Sequence, residues 1–480
     1  MKTKFDRGFI LVAMSSLIGC GGGGASGSSG TSPTCTACTV GGAVSGLNAG
    51  QSAVILNNGG DPHTLSSNGS FTFDKPAVYG GAYDVTVQSH TPGITCSVND
   101  GSGTVGTSSV TNIAVSCAAG TATILHSFAG APSDGVTPQT DLVMDSAGNF
   151  YGTTRFGGAD SLGSVFRISS SGTETLIYSF ANATTDGSSP VASLIMDSTG
   201  NLYGITNNGG AAGQGTVFKV SPTGAETVLH SFAGGSADGA LPHGPLIIDS
   251  AGNLYGTTYE GGTDNDGTVF RISAAGTETV LHSFAGGATD GAWPDAGLLM
   301  DSAGNLYGTT YVGGVNNEGT VFKISGTGTE TVLYSFMGGT TDGAEPRAAL
   351  IMDSAGNLYG TTWGGGAANG GTVFKISSAG KETLLHSFAG GSDGAGVDGS
   401  LVMDGTGNLY GTTFEGGVDN DGTVFEISAA GTETVVHTFM GGTTDGSGPG
   451  SDLTMDTAGN IYGTTVQGGV NDDGTAFEIN

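Results

Sequence analysis

The sequence predicts an all-β protein, because short apolar runs alternate with Gly, Asp and Asn turns and no segment has helical periodicity. Two further observations define the architecture. A segment of about 52 residues recurs seven times up to the C-terminus, and each copy divides into four strands, a to d. The repeat region begins with a lone strand d and ends on strand c, so the first strand must complete the last unit. These features predict a seven-bladed β-propeller closed by its two ends.

The N-terminus predicts export. Three basic residues precede a short apolar run that ends in Leu-Ile-Gly-Cys at Cys20, a pattern that resembles a bacterial lipobox. The resemblance implies that residues 1–19 are a lipoprotein signal peptide and that Cys20 carries a diacylglycerol. Gly21 follows, which favours the outer membrane or cell surface over retention at the inner membrane. The alternative is an ordinary secretory signal in which Cys20 has no role.

Residues 20–34 are predicted to be the lipidated cysteine and a flexible Gly/Ser linker, because they offer nothing that can pack into a core. Four cysteines remain, and an even number in an exported chain suggests two disulfides. The predicted pairs are Cys96 with Cys117 and Cys35 with Cys38. A zinc site at the closer pair is the alternative, but the sequence has no second close pair to complete it.

Residues 35–119 are predicted to form a small β-sandwich domain. Five short runs alternate apolar and polar residues between turns: SAVIL, GSFTF, AYDVTV, TCSV and NIAVSC. Strands of this length and number favour an antiparallel sandwich of the immunoglobulin-like or transthyretin-like kind. The segment contains no catalytic grouping of side chains.

Residues 120–480 are predicted to form the propeller. In the third repeat the four strands are GPLIID, NLYGTTY, GTVFRIS and TETVLHSF. The segment DSAGN, from Asp249 to Asn253, joins strands a and b. An Asp that bonds the backbone ahead of it, followed by a Gly with positive φ, suits a three-residue hairpin loop. We therefore interpret the repeated aspartate as turn chemistry rather than catalysis.

The repeat resembles the GloVer tandem repeats of "choice-of-anchor" bacterial surface proteins, through the pattern LxMDxAGNLYGTTxxGGxxxxGTVFxI over residues 121–480. Ile205 and Ser164 depart from the pattern, each in place of a Thr. The resemblance implies secretion and surface anchoring, here in a lipoprotein version. It supplies no catalytic residue.

Charge excludes one class of partner. The chain has 12 Lys and Arg against 42 Asp and Glu, a net charge of −30, whereas nucleic-acid binding needs a basic surface. An acidic surface is compatible with neutral sugars or cations. No cofactor is expected other than calcium, and its candidates lack the terminal Glu of an EF-hand, so turn residues are the favoured interpretation. The calcium candidates are Asp264, Asp266, Asp419 and Asp421.

The residue after YGTT varies around the ring and predicts the ligand face. It is aromatic in four successive blades, and a tryptophan stands in a loop of the same face. Such rings stack on sugars or anchor a protein partner, while neighbouring glutamates accept hydroxyl hydrogen bonds. The predicted set is Tyr259, Tyr311, Trp363, Phe414, Trp293, Glu260 and Glu415. The alternative is that the rings fill gaps between blades.

Repeated polar positions are interpreted as structural. Five histidines share one strand-d position, and five basic residues share a strand-c position expected to lie near carboxylates. Only His243 among the propeller histidines lies off that position, in a d–a loop. The sequence therefore predicts a lipid-anchored surface protein that binds a glycan or protein. The alternatives are a polysaccharide-active lyase or hydrolase, with His243 as candidate base, and a purely structural or adhesive protein.

Overall fold

The computed structural model describes residues 35, 37–47, 51–181, 184–326 and 328–480. Within these ranges the chain is built from β-strands, with one short 3-10 helix at Gly391–Asp393, so the all-β prediction is confirmed. No helix in the described part of the chain is long and apolar enough to cross a membrane. The predicted signal peptide, Cys20 and the linker lie outside the described residues.

The N-terminal segment forms two four-stranded sheets around a shared core. One sheet has the strand order Gly69–Thr72, Val40–Ser45, Val110–Ala119, Ile94–Asn99. The other has the order Gly60–Leu65, Ala53–Asn57, Ala82–His90, Ser102–Thr104. The first two long strands of the first sheet, which begin at Val40 and Val110, run parallel, and all other pairs are antiparallel. All five predicted runs are strands. The assignment of this N-terminal domain as immunoglobulin-like or transthyretin-like stays a prediction.

Both predicted disulfides are confirmed. Cys96 and Cys117 lie directly opposite each other on neighbouring antiparallel strands, and Cys35 bonds to Cys38. Because such bonds form and persist in oxidising compartments, they indicate an exported protein.

Seven antiparallel sheets follow, each with the order a-b-c-d. Strands a are Val143–Met144, Ile195–Met196, Ile247–Ile248, Leu299–Met300, Ile351–Met352, Val402–Met403 and Thr454–Met455. Strands b are Phe150–Thr154, Leu202–Thr206, Leu254–Gly261, Leu306–Thr310, Leu358–Thr362, Leu409–Thr413 and Ile461–Thr465. Strands c are Ser164–Ile168, Thr216–Val220, Thr268–Ile272, Thr320–Ile324, Thr372–Ile376, Thr423–Ile427 and Thr475–Ile479. Strands d are Glu174–Ser179, Glu226–Ser231, Glu278–Ser283, Glu330–Ser335, Glu382–Ser387, Glu433–Thr438 and, for the seventh, Ala122–Ser127. We number these sheets as blades 1 to 7.

Short two-residue strands extend most blades toward the b–c loops. They pair the end of the d–a loop with the residues after strand b. The pairs are Gly135–Val136 with Phe156–Gly157, Gly187–Ser188 with Asn208–Gly209, Gly291–Ala292 with Val312–Gly313, Gly343–Ala344 with Gly364–Gly365 and Gly446–Ser447 with Gln467–Gly468. In blade 3, Gly239–Pro242 pairs with the long strand b itself.

The first strand of the repeat region completes the last blade. Ser127 pairs with Thr475 and Ala122 with Ile479, in an antiparallel register. The predicted closure is therefore confirmed. It joins the two ends of the repeat region by a hydrogen-bonded ladder and gives blade 7 the same four strands as the other blades.

Apolar packing continues around the whole ring. Each of seven buried clusters combines residues from two consecutive blades, and one of them joins blade 7 to blade 1. At every junction a phenylalanine that follows strand d packs edge-on or tilted against the strand-c phenylalanine of the next blade, at 4.9 to 5.1 Å between ring centroids. The pair Phe284 and Phe322 is an example, with both rings completely buried. The YGTT glycine makes room for these rings, since a Cβ on Gly256 would lie 2.7 Å from the Phe270 ring.

The DSAGN segments form the predicted turns. In blade 3 the Asp249 N–H donates to the Asn253 carbonyl across a three-residue loop, in which Gly252 has φ +81°. The Asp249 carboxylate accepts hydrogen bonds from the N–H groups of Ala251 and Asn253 and from the Tyr255 hydroxyl. The Asp, Asn and Tyr that recur in the repeats thus form one hydrogen-bonded unit.

The expectation for the strand-c basic residues is wrong. We expected them near carboxylates, but the ammonium groups of three lysines lie 5.0 to 5.5 Å from the ring centroids of the strand-b tyrosines opposite them. The pairs are Lys219 with Tyr203, Lys323 with Tyr307 and Lys375 with Tyr359. The strand register explains the difference. On strand b each of these lysines lies opposite the tyrosine, and on strand d it lies opposite a threonine rather than the glutamate.

The sandwich contacts the propeller at the end that carries the a–b turns. The His90 N–H donates to the Ala458 carbonyl in the a–b turn of blade 7, at 2.9 Å. Gly459 lies so close that a Cβ there would collide with the His90 carbonyl. The b–c and d–a loops therefore form the opposite end of the ring, away from the sandwich.

Candidate functional site

A funnel opens at the ring axis among the d–a loops. Its deeper part is a cavity of about 220 Å³ lined by residues from all seven blades. A second cavity of about 370 Å³ adjoins it and shares His243, Asp295 and Arg347. We call the two cavities together the funnel. One repeat position supplies a residue from every blade, and these residues are Gln139, Val191, His243, Asp295, Arg347, Asp398 and Gly450.

The backbone before this position is held in an unusual conformation. In six blades a proline comes immediately before the funnel residue. The residue two positions before the funnel residue has positive φ in all seven blades. Trp293 and Glu345 each have φ +57°, which costs energy in residues with a Cβ. Proline then fixes the next φ. This turn directs the following side chain toward the axis.

His243 and Asp295 form an ion pair in the funnel. The imidazole Nδ1 contacts an Asp295 carboxylate oxygen, so Nε2 is left facing the cavity. Although 41% of the His243 side chain is exposed, it lies in a concave site surrounded by protein. Burial alone would lower the pKa of His243, but the hydrogen bond and charge of Asp295 raise it overall. A carboxylate that orients an imidazole is an arrangement suited to proton transfer.

Arg347 connects the funnel to the aromatic residues. Its guanidinium lies 4.8 Å from the Tyr311 ring centroid and 4.7 Å from the Trp363 ring centroid, so it is held between two aromatic side chains. It donates to the Tyr311 hydroxyl at 3.2 Å and lies 3.7 Å from the Glu345 carboxylate. That hydroxyl in turn donates to Glu345 at 3.0 Å. These contacts fix the guanidinium at the funnel wall.

Carboxyl groups line the rest of the funnel. Burial raises the pKa of Asp398 to about 6, although the charge of Arg347 opposes the shift. Burial and the charge of Asp452 raise the pKa of Asp141. Burial also raises the pKa of Asp452, which accepts a 2.5 Å hydrogen bond from the Ser400 N–H. Several funnel carboxyls therefore gain protons more readily than ordinary aspartates.

The predicted aromatic residues meet in pairs at this end of the ring. Trp293 stacks on Tyr259 with centroids 5.5 Å apart and planes 25° from parallel. Trp363 lies 6.2 Å from Phe414. All five predicted rings are half-buried, so none is sealed completely between blades. Tyr259 and Tyr311 line the outer cavity directly.

The predicted glutamates lie outside this set. Glu260 is half-buried and Glu415 is exposed, and neither belongs to the described residues that line the two cavities. Alternation along the strand explains why, since Glu260 follows Tyr259 and points to the other face.

The calcium candidates do not converge. Among the described residues one group of three has metal-ligand spacing, His126, Asp134 and Glu174, and it includes none of the four candidates. Asp421 instead accepts a hydrogen bond from the Ser447 hydroxyl. The d–a loop aspartates likewise have local partners, as Asp134 accepts hydrogen bonds from the N–H groups of Ala129 and Gly135.

Most of the funnel was missed at the sequence level. His243 was singled out because it departs from a repeated histidine position, whereas Asp295, Arg347 and Asp398 were not singled out. One signal could have identified them. When the seven repeats are superimposed, six different residue types occupy one position that directly follows a proline shared by six of the repeats.

The fold and funnel define a class: a closed β-propeller of an exported chain with an asymmetric axial site. The match to the family model of the Gloeobacter/Verrucomicrobia repeat covers residues 83–302 and 288–477. The chain belongs to this family, and the predicted resemblance is confirmed. No curated protein is similar to it in sequence.

Solved structures are similar to this chain at low identity. A streptogramin B lyase has a TM-score of 0.51 and 14% identity, over 75% of this chain and 97% of that chain. Virginiamycin B lyase from Staphylococcus aureus has a TM-score of 0.49 and 12% identity, over 72% and 95%. The extracellular domain of BT4673 from B. thetaiotaomicron has a TM-score of 0.47 and 10% identity, over 73% and 40%. At these identities the first similarity supports the propeller fold alone.

Proposed function

We propose that the protein is a surface-displayed binding module that takes a glycan at the funnel. The observation that carries the proposal is the wall of half-buried rings beside a polar axial cavity. Sugar sites combine aromatic faces, which pack on C–H groups, with fixed polar side chains, which bond to hydroxyls. Tyr259 and Tyr311 supply the first element, and Arg347 and Asp295 supply the second.

The asymmetry of the ring supports this proposal. A purely structural propeller needs only the repeated turn and core residues, and these barely vary among the seven blades. The side chains at the axis differ from blade to blade, and several of them are charged and costly to bury. Positions that combine variation with partly buried charge are typical of recognition rather than packing.

The proposal is tested by glycan-array screening and calorimetry of the full mature chain. Trp363→Ala removes one side of the Arg347 cradle, so we expect at least about tenfold weaker binding, equivalent to about 1.4 kcal/mol. Tyr79→Ala, which truncates an exposed ring on the sandwich, is the matched control. Unchanged binding by the Trp363 variant, or a wild-type chain that binds no glycan, would refute the proposal.

A second candidate function is catalysis on a polysaccharide. The specific observation is the His243–Asp295 pair, together with the protonatable Asp398 in the same cavity. General acid–base chemistry requires groups that exchange protons near neutral pH and lie within reach of one substrate. Turnover of a polysaccharide that His243→Ala abolishes without weakening binding would establish this function. Binding without turnover across lyase and hydrolase substrates would exclude it in favour of the binding module.

We also propose that Cys20 anchors the chain to the membrane as a lipoprotein. The support is the lipobox-like sequence and the disulfides, which agree with export. Cys20→Ser should abolish acylation and move the chain to the soluble fraction. Normal lipidated material from this variant would contradict the anchor and leave the funnel proposal unaffected.

A further inference from the structure

The distribution of basic residues points to the chemistry of the ligand. The chain has 12 Lys and Arg, and three of them precede residue 8. Of the nine that remain, five occupy the strand-c position, one lies in the sandwich and one in a c–d turn. The last two, Arg155 and Arg347, both line the axial cavity. In this acidic protein, the two arginines at the end of the ring that carries the b–c and d–a loops therefore line the same cavity.

Arg155 has no acidic partner. It makes no salt bridge within the described part of the chain, and its side-chain contacts are a long 3.5 Å hydrogen bond to the Gln139 amide oxygen and the ring of Phe156, whose centroid lies 5.3 Å away. Its Nε is buried without a hydrogen-bond partner. It also lies close enough to His243 for its positive charge to oppose protonation of that imidazole. In a chain with 42 acidic residues, an unpaired arginine beside a histidine is the arrangement expected of an anion site.

Three acidic residues of the loop end do not serve as ion-pair partners of Arg155. Asp295 pairs with His243, and Glu345 lies beside Arg347 and accepts from Tyr311. The charge of Arg347 lowers the pKa of Asp398 against the larger effect of burial, which raises it. Asp295 and Glu345 therefore have partners of their own, and in the described part of the chain no carboxylate forms a salt bridge with Arg155.

We propose that the funnel binds an acidic sugar, with a ligand carboxylate held by Arg155 next to His243 and a sugar ring packed against Tyr259. This inference rests on the proposed glycan binding and names the class of glycan. The His243 and Tyr259 rings lie 6.0 Å apart, so a sugar whose carboxylate lies beside His243 has Tyr259 within reach of its ring. Arginine supplies the planar fork that a carboxylate accepts in two hydrogen bonds.

The test compares matched ligands on the full mature chain. The probes are a galacturonic acid trimer, the same trimer as its methyl ester, and a sulfated galactose trimer. We expect the carboxylate trimer to bind best and Arg155→Gln to weaken it about tenfold or more, as for loss of a charge-assisted hydrogen bond, while binding of the ester stays within about twofold. Arg155→Lys should recover only part of the loss, because it retains the charge without the fork.

Matched controls separate this inference from the broader proposal. Arg271→Gln removes a basic residue of strand c outside the funnel and should leave all affinities unchanged. If the ester binds as well as the acid, and Arg155→Gln binds both normally, the acidic-sugar inference fails and glycan binding stands. Preference for the sulfated trimer would also overturn the carboxylate assignment. If none of the three binds and the glycan array is empty, both proposals fail.

Discussion

At the residue scale, one aspartate organises each a–b turn. The Asp249 carboxylate satisfies two backbone N–H groups, the Asn253 side chain and the Tyr255 hydroxyl. Burial alone would raise the pKa of Asp249, but these hydrogen bonds lower it overall. One side chain thus fixes the turn, the start of strand b and the tyrosine. This explains why the same residues recur in every repeat.

Loss of this carboxylate should destabilise the blade. Asp249→Ala leaves four donors without their acceptor, and we expect the free energy of unfolding to fall by about 1–3 kcal/mol. Chemical denaturation measures the change. Ser250→Ala, in the same turn but exposed, is the control and should be close to neutral. Equal stability of the two variants would show that the turn does not depend on the aspartate.

Residue chemistry was predictable where it is local. Turn residues, the disulfides and the aromatic position after YGTT follow from patterns within a few residues. Arg347 and Asp398 were not predictable in the same way, because their meaning depends on seven distant loops meeting at one axis. The lysines of strand c were misjudged for a related reason: strand register, rather than charge, decides that Lys219 faces Tyr203.

At the element scale, six of the seven blades contribute a strand-d glutamate to the preceding junction. Glu226 begins strand d of blade 2 and lies near Asp186 and Tyr178, which belong to the junction with blade 1. One of its carboxylate oxygens is buried without a hydrogen-bond partner. Burial, reinforced by the charge of Asp186, raises the pKa of Glu226 to about 7. Equivalent glutamates in blades 1 and 6 also reach about 7.

These raised pKa values predict that stability falls as pH rises. Between the ordinary value of 4.5 and about 7 the folded chain holds more protons than the unfolded chain, so each unit of pH in that window favours unfolding. We expect Tm to be higher at pH 5 than at pH 7.5. Glu226→Gln, which mimics the protonated acid, should make the decline shallower. A Tm that rises across this window, or a variant with the wild-type slope, would contradict the assignment.

The element boundaries were less predictable than their order. Strand a was expected to span six residues in the third repeat, but it contains two, Ile247–Ile248. The backbone before it belongs instead to the turn that directs His243 to the axis. Local alternation of apolar residues could not reveal this, since the apolar residues of the segment are buried either way.

At the scale of the whole molecule, the ring depends on a strand that precedes it in sequence. Ala122–Ser127 completes blade 7, and Phe128 packs on Phe166 of blade 1. The hydrogen bond from the Thr464 hydroxyl to the Thr140 carbonyl also joins the two end blades. Closure follows from the phase of the repeat, which is why it could be predicted from the sequence.

Replacing residues 121–129 by a Gly/Ser linker of equal length should open the ring. The change removes the whole outer strand of blade 7, and loss of the Phe128 ring alone is expected to cost about 3–5 kcal/mol. The exposed edge should also promote self-association. Calorimetry and light scattering measure the two effects. Replacement of the exposed segment 235–237 in the same way is the control. A wild-type Tm and a monodisperse variant would refute the dependence on this strand.

The position of the sandwich has a consequence for access. Because the sandwich contacts the a–b turns of blade 7, the polypeptide enters the ring from the end opposite the funnel. In a molecule held by its N-terminal segment, the axial cavity would therefore face the surrounding medium. A long polymer could then bind in the cavity by one of its ends without passing through a pore. Ligand affinity should then be the same whether the protein is tethered to a solid support by its N-terminus or free in solution.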